Sequence, residues 1–261
     1  MIVSAGAAQA RSARRRNDRK REGTRMRMRK KKNLIPRMER CSAYRIAEPA
    51  AHRGGWRALM PDCREIRVEL GCGKGRFTVE TAAAEPDVLF LAVERVPDAL
   101  VVAMERAARA GLKNVFFIEA DVRELPEFFD SGEIRRIYIN FCDPWPKSNQ
   151  AKRRLTHGNF LRLYRKVLPM GGQIHFKSDN APLFAFSVEE IPRFGFTLSE
   201  VTDDLHAQGV CGVMTDYEAK FYAEGVPIHR LVATMVPWEA PDADAGQVEE
   251  APQDFAPAGA E

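Results

Sequence analysis

Short apolar runs alternate with longer amphipathic ones along most of the chain, and the alternation predicts a succession of strands and helices. Ile66, Val68 and Leu70 start a short strand that runs into Glu69-Leu70-Gly71-Cys72-Gly73-Lys74-Gly75, and Phe77, Val79, Ala82 and Ala83 follow at helical spacing. Residues 88–93 (VLFLAV) are continuously apolar, as in a strand buried on both faces, and end at Glu94. A helix then runs from Pro97, suited to a first turn, through Leu100, Val101, Met104 and Ala108 to a stop at Gly111. Further strands are predicted over 115–118, 134–140, 173–177, 197–202 and 231–236, with helices over 160–168 and 182–194 and an amphipathic helix entered from 213–218. The pattern predicts an α/β fold with a seven-stranded, mostly parallel sheet and helices on both faces.

Candidate chemistry collects at the strand ends. Gly71, Gly73 and Gly75 let backbone approach a ligand closely, but their spacing, E-x-G-x-G-x-G, is neither the dinucleotide fingerprint nor a P-loop. That argues against a nicotinamide-dependent oxidoreductase. Glu94 lies 23 residues after Gly71, where a carboxylate can accept both hydroxyls of a ribose. Asp121 follows the next strand and can accept from an adenine amine. The strand over 134–140 ends in polar Asn140, and Asp143-Pro144-Trp145-Pro146 then continues neither strand nor helix. Two prolines around a tryptophan leave few backbone states, so the loop either holds a flat ring or covers a core edge with Trp145.

Glycine turn, Glu94 and Asp121 at successive strand ends resemble the layout of the Rossmann-like class I S-adenosylmethionine-dependent methyltransferases, across residues 64–236. The resemblance narrows with ELGCGKG, FCDPWPK followed by KRRLT, FKSDN and TDYE, which together are similar to the bacterial tRNA (guanine-N7-)-methyltransferase family. The resemblance implies that the last strand is antiparallel. It also implies that Glu69, Glu94, Asp121 and Asp143 contact S-adenosylmethionine, with Asp143 catalytic. Lys147, Asp179, Thr215, Asp216, Tyr217 and Glu218 would contact the guanine nucleotide, and residues 149–154 would touch RNA. Where many members carry a histidine-rich basic run, this chain reads Ser148-Asn149-Gln150-Ala151, which shifts the RNA contact onto Lys152, Arg153 and Arg154. With Lys147 these form a cationic rim suited to phosphates. Thr215 and Glu218 also fit a helix capping box, and both roles can hold at once. The implied activity is methylation of guanine N7 in the variable loop of tRNA by in-line transfer, with no general base. The rivals are an N-methyltransferase of the same fold acting on another RNA position, and a non-catalytic RNA-binding protein.

Charge divides the chain further. Of its 261 residues, the first 40 hold fifteen Lys/Arg against three acids, a net of +12, and from Pro237 onward there are seven acids and no Lys/Arg. Residues 1–40 thus read as a flexible basic arm for a polyanion, 41–236 as the methyltransferase domain and 237–261 as an acidic disordered tail. Translation starting at Met26 or Met28, or an organellar transit peptide, are further readings of the arm. Leu34, Ile35, Met38 and Tyr44 can pack on the domain, as can Trp56 and Leu59. No run approaches the roughly 18 apolar residues of a membrane span. Five scattered cysteines without metal-ligand spacing fit reduced thiols in a cytoplasmic protein without structural metal. Monomer and homodimer stay open.

Overall fold

Alternation of side chains decides which face of each strand meets which helices. In the computed structural model, which describes residues 32–239, β2 (Glu65–Leu70) turns Ile66, Val68 and Leu70 to one core, and Arg67 and Glu69 to the other face. On the first face β3 (Val88–Glu94) adds Leu89, Leu91 and Val93, and β5 (Arg136–Asn140) adds Ile137 and Ile139. Helices α4 (Leu125–Phe128), α5 (Gly158–Val167) and α6 (Ala181–Glu190) cover it with Phe128, Leu161, Tyr164, Leu183 and Phe184. On the other face Phe90, Phe117 and Tyr138 meet α2 (Arg76–Ala84) and α3 (Pro97–Ala110) through Phe77, Leu100, Met104 and Ala107. Each side chain buried outright in this way is worth about 1.5–3 kcal/mol against exposure.

The sheet has eight strands in the order β1-β4-β3-β2-β5-β6-β8-β7. The eighth is β1 (Arg45–Ile46), a two-residue addition that pairs parallel to β4 (Val115–Glu119), Arg45 opposite Phe117. The count therefore exceeds the seven expected by one strand too short to leave a hydrophobic period. β8 (His229–Met235) runs antiparallel to both β6 (Gln173–Ser178) and β7 (Phe196–Thr202). The helix expected over 182–194 ends earlier, because Pro192 removes a backbone donor, and its last residues form a 3-10 turn, Ile191–Phe194, closed by Gly195. Helix α3 begins at Pro97 and is closed by Gly111 in the left-handed conformation, as expected.

Within the described part of the arm, α1 (Leu34–Arg40) places Arg37 on Glu105 of α3 through two hydrogen bonds of 2.7 and 2.6 Å, and Met38 packs against the second core. Trp56 is fully buried, donating to the Phe128 carbonyl and stacked on Phe129. Residues 1–31 and 240–261, with the readings made of them, lie outside the described residues. No helix among the described residues is long and apolar enough to cross a membrane. All five cysteines are free thiols.

Candidate active site

The glycine turn between β2 and α2 is bare on one side and tight on the other. Gly71, Gly73 and Gly75 have φ of +75°, +56° and +73°, and the space a side chain would take at Gly71 and Gly73 holds nothing within 4 Å. That open backbone is what a ligand needs to lie against it. At Gly75 a methyl group would stand 2.5 Å from Ala103 Cβ, so this glycine serves the packing of α2 on α3. Gly75→Ala is expected to cost about 2–4 kcal/mol of stability, from overpacking together with left-handed strain. Urea denaturation checks it: an unchanged midpoint would contradict the packing role.

Glu94, at the end of β3, is fixed to this turn. Its Oε2 accepts the Gly73 N–H at 2.9 Å and its Oε1 accepts the Val96 N–H at 2.8 Å. Each carboxylate oxygen keeps a further lone pair for a ligand hydroxyl. One strand over, half-buried Asp121 caps the 3-10 turn Val122–Glu124 and accepts from the Arg123 backbone at 3.0 Å and from its guanidinium at 2.9 and 3.1 Å. Burial works against the Asp121 carboxylate, but the bonds from Arg123 outweigh it and hold the carboxyl below its ordinary value.

A row of polar side chains crosses the central strands on the face that meets α2. Glu69 is 2% exposed; Thr78 and Asn140 both donate to it, Asn140 Nδ2 at 2.9 Å. Burial pushes the Glu69 carboxyl up, against those two hydrogen bonds. Opposite Asn140 on β6 stands buried Lys177, whose Nζ donates to Glu218 Oε2 at 2.6 Å and to the Val213 carbonyl at 3.2 Å. Glu218 is fully buried, and its Oε1 meets His206 Nε2 at 3.0 Å. Burial lowers the Lys177 ammonium's pKa, and Glu218 opposes that shift. Asn140, Lys177 and His206 were not singled out as site residues in the sequence. The polar strand end at Asn140 and a lysine closing a buried strand in FKSDN were the visible signals.

The loop after β5 is strained and stapled. Phe141 and Trp145 lie in the left-handed region, at φ +55° and +42°, a conformation that costs of order 1–3 kcal/mol for each. Arg154 holds it: Nε donates to the Pro144 carbonyl at 3.2 Å, Nη2 donates to the Trp145 carbonyl at 3.0 Å, and the guanidinium lies over Phe186. Asp143 is exposed between the strained residues, with no hydrogen-bond partner among the described residues. Lys147, Lys152 and Arg153 are exposed beside it, Arg153 over the Trp145 ring. Of the basic residues read as RNA contacts, Arg154 thus hydrogen-bonds the loop backbone, while Arg153 lies over its Trp145 ring.

Asp179 follows β6, and burial raises its carboxyl's pKa, with His229 opposing. Thr215 caps α7 (Asp216–Ala223) in a reciprocal box with Glu218. Asp216 takes a two-armed bond from Arg106 on α3, at 2.7 and 3.2 Å, and Tyr217 is exposed and stacked on Phe221. The segment is therefore anchored at Glu218 and Asp216, and presents Tyr217.

Comparison with known proteins adds relatives to this geometry. Residues 64–231 match a family model described as "Putative methyltransferase". The tRNA (guanine-N(7)-)-methyltransferase of Geobacillus thermodenitrificans is 42% identical over 216 residues, covering 82% of this chain and 100% of the relative. That of Streptococcus equi subsp. zooepidemicus is 40% identical over 211 residues, covering 80% of this chain and 100% of its own. Among solved structures, the 16S rRNA methyltransferase KamB superposes with a TM-score of 0.55 at 18% identity, over 70% of this chain and 94% of its own, a likeness of fold.

Proposed function

The chain belongs to the tRNA (guanine-N(7)-)-methyltransferase family, an S-adenosylmethionine-dependent class I methyltransferase fold, and from that premise we propose how its residues divide the work. It methylates guanine N7 in tRNA; the variable loop as target, the cytoplasm as compartment and the roles below are our reading. The observation that carries it is the order along one sheet edge: open glycine turn and Glu94, then Asp121 on one side, the strained Asp143 loop and Asp179 on the other. Ligands of open α/β sheets bind beyond the strand carboxyl ends, where the strand order reverses.

S-adenosylmethionine, when bound, supplies a methyl group on positively charged sulfur. The bare backbone of Gly71 and Gly73 fits close approach of such a ligand, Glu94 takes the ribose hydroxyls, Asp121 takes the adenine amine, and Glu69 supports the site from below. Guanine N7 carries an in-plane lone pair at neutral pH, so no residue has to remove a proton before attack. As N7 gains the methyl the base becomes a cation, and the Asp143 carboxylate favours that charge. Asp179 accepts from guanine N1–H and the exocyclic amine, while Thr215, Asp216 and Tyr217, held by Glu218, close on the nucleotide. Lys147, Lys152 and Arg153 meet phosphates, and the basic arm adds charge for the same polyanion. The test of N7 as nucleophile is a tRNA bearing 7-deazaguanine at the target. It is expected to bind as well as the natural tRNA and accept no methyl; methylation of it would move the reaction to another atom.

Arg154 acts here by holding the loop. Arg154→Gln is expected to lower turnover roughly tenfold to a hundredfold, up to the scale that a misplacement of about 1 Å can cost, while the salt dependence of tRNA binding keeps its slope. Arg153→Ala is expected to flatten that slope by about one, the signature of one lost phosphate contact. A flattened slope in Arg154→Gln would return that residue to the RNA.

A further inference from the structure

Asn140 is 7% exposed, and its Nδ2 donates to Glu69 Oε1 at 2.9 Å, yet its Oδ1 is buried with no partner. A buried carbonyl oxygen left unpaired is uncommon, and it marks where a donor is missing. Turning the amide over does not mend this, because two oxygens would then face each other across the Glu69 contact unless that carboxyl carried a proton.

Three features name the donor. Asn140 ends β5 one residue past Ile139, which pairs with Leu70, the last residue of β2; β3 and β4 lie beyond β2, and β6 beyond β5, so the orphaned oxygen sits at the point where the strand order reverses. Glu94 and Asp121, assigned above to ribose and adenine, lie on β3 and beyond β4, so the remaining arm of the same molecule extends back toward β2 and β5. That arm is an amino acid. Finally, both hydrogen-bond donors to Glu69 are neutral, Thr78 and Asn140, and Lys177, the cation whose charge acts on Glu69, gives its hydrogen bonds to Glu218 and the Val213 carbonyl, so Glu69 and an unpaired amide oxygen stand together as acceptors. Such a pair suits a cation with several donors, which a primary ammonium is.

We propose that Asn140 Oδ1 accepts a hydrogen bond from the α-ammonium of S-adenosylmethionine, the amide being aimed by Glu69. The proposal rests on the cofactor orientation given above. It makes Asn140, rather than the buried Glu69 alone, the side chain that reads the amino group.

Titration calorimetry of the full-length protein tests it with S-adenosylhomocysteine and the analogue in which the α-amino group is replaced by hydrogen. The natural protein is expected to bind the amino form roughly tenfold or more tightly than the desamino form, as for one hydrogen bond to a charged group. In Asn140→Ala this gap is expected to fall to about threefold or less, through weaker binding of the amino form only. Asn140→Ser serves as the second variant should the alanine form fail to fold. An unchanged gap, or equal loss for both ligands, would overturn the proposal and leave Asn140 a structural support or a contact to guanine. Failure of the natural protein to bind either ligand would overturn the cofactor orientation itself.

Discussion

Asp143→Ala is expected to lower the turnover of tRNA methylation on the order of a hundredfold to a thousandfold, the scale found for one group that stabilises charge developing in a transition state. Asp143 stands exposed on the loop, hydrogen-bonded to none of the described residues, so its removal breaks no internal bond. The fold, and the contacts proposed for Gly73, Glu94 and Asp121 with the nucleoside part of the cofactor, should therefore survive. Calorimetry with S-adenosylhomocysteine and single-turnover assays separate the two effects. Affinity is expected to fall far less than the rate, although the resemblance also has Asp143 touch the cofactor. Asp143→Asn keeps the shape and loses the charge, and should behave like the alanine variant. Equal turnover in either variant would remove Asp143 from the chemistry.

The second large effect falls on stability. Glu218→Ala strips the partner from Lys177, 7% exposed, and from His206, 5% exposed. Leaving a buried charge without its counter-ion costs about 3–5 kcal/mol. The loss includes the cap at Thr215, since Glu218 also accepts that residue's backbone N–H at 3.1 Å. A double variant, Lys177→Met with Glu218→Ala, removes the orphaned charge together with its partner. It is expected to recover much of the stability, because apolar replacement of a whole buried ion pair is often tolerated. Urea denaturation of the two single variants and the double one measures this directly. Additive losses would mean that Lys177 and Glu218 do not act as a pair.

What the sequence made legible is what local physics writes locally. The glycine turn, the acids at strand ends, Pro97 and Gly111 around α3, and the Thr215–Glu218 box each occupy a few adjacent positions, where turn chemistry or periodicity leaves a mark. The faces of β2 and β5 were legible for the same reason, since alternation sorts Ile66, Val68 and Leu70 from Arg67 and Glu69. Contacts between distant segments left no such trace. Lys177 finds Glu218 across 41 residues, Arg106 finds Asp216 across 110, and Asn140 finds Glu69 across 71. Arg154 looks in sequence like its basic neighbours, and only the return of the chain onto Pro144 and Trp145 gives it a different task. β1 was missed because two residues cannot carry a period, and the antiparallel sense of β8 follows from where the chain re-enters the sheet. Local signals thus mark the groups proposed to meet ligands, while the groups that hold them in place emerge from the fold.

The most direct measurement is identification of the product. Full-length protein is incubated with labelled S-adenosylmethionine and unmodified tRNA, and the RNA is digested to nucleosides. The account predicts that the label appears in 7-methylguanosine, arising from the variable loop. Label in any other methylated nucleoside would contradict it.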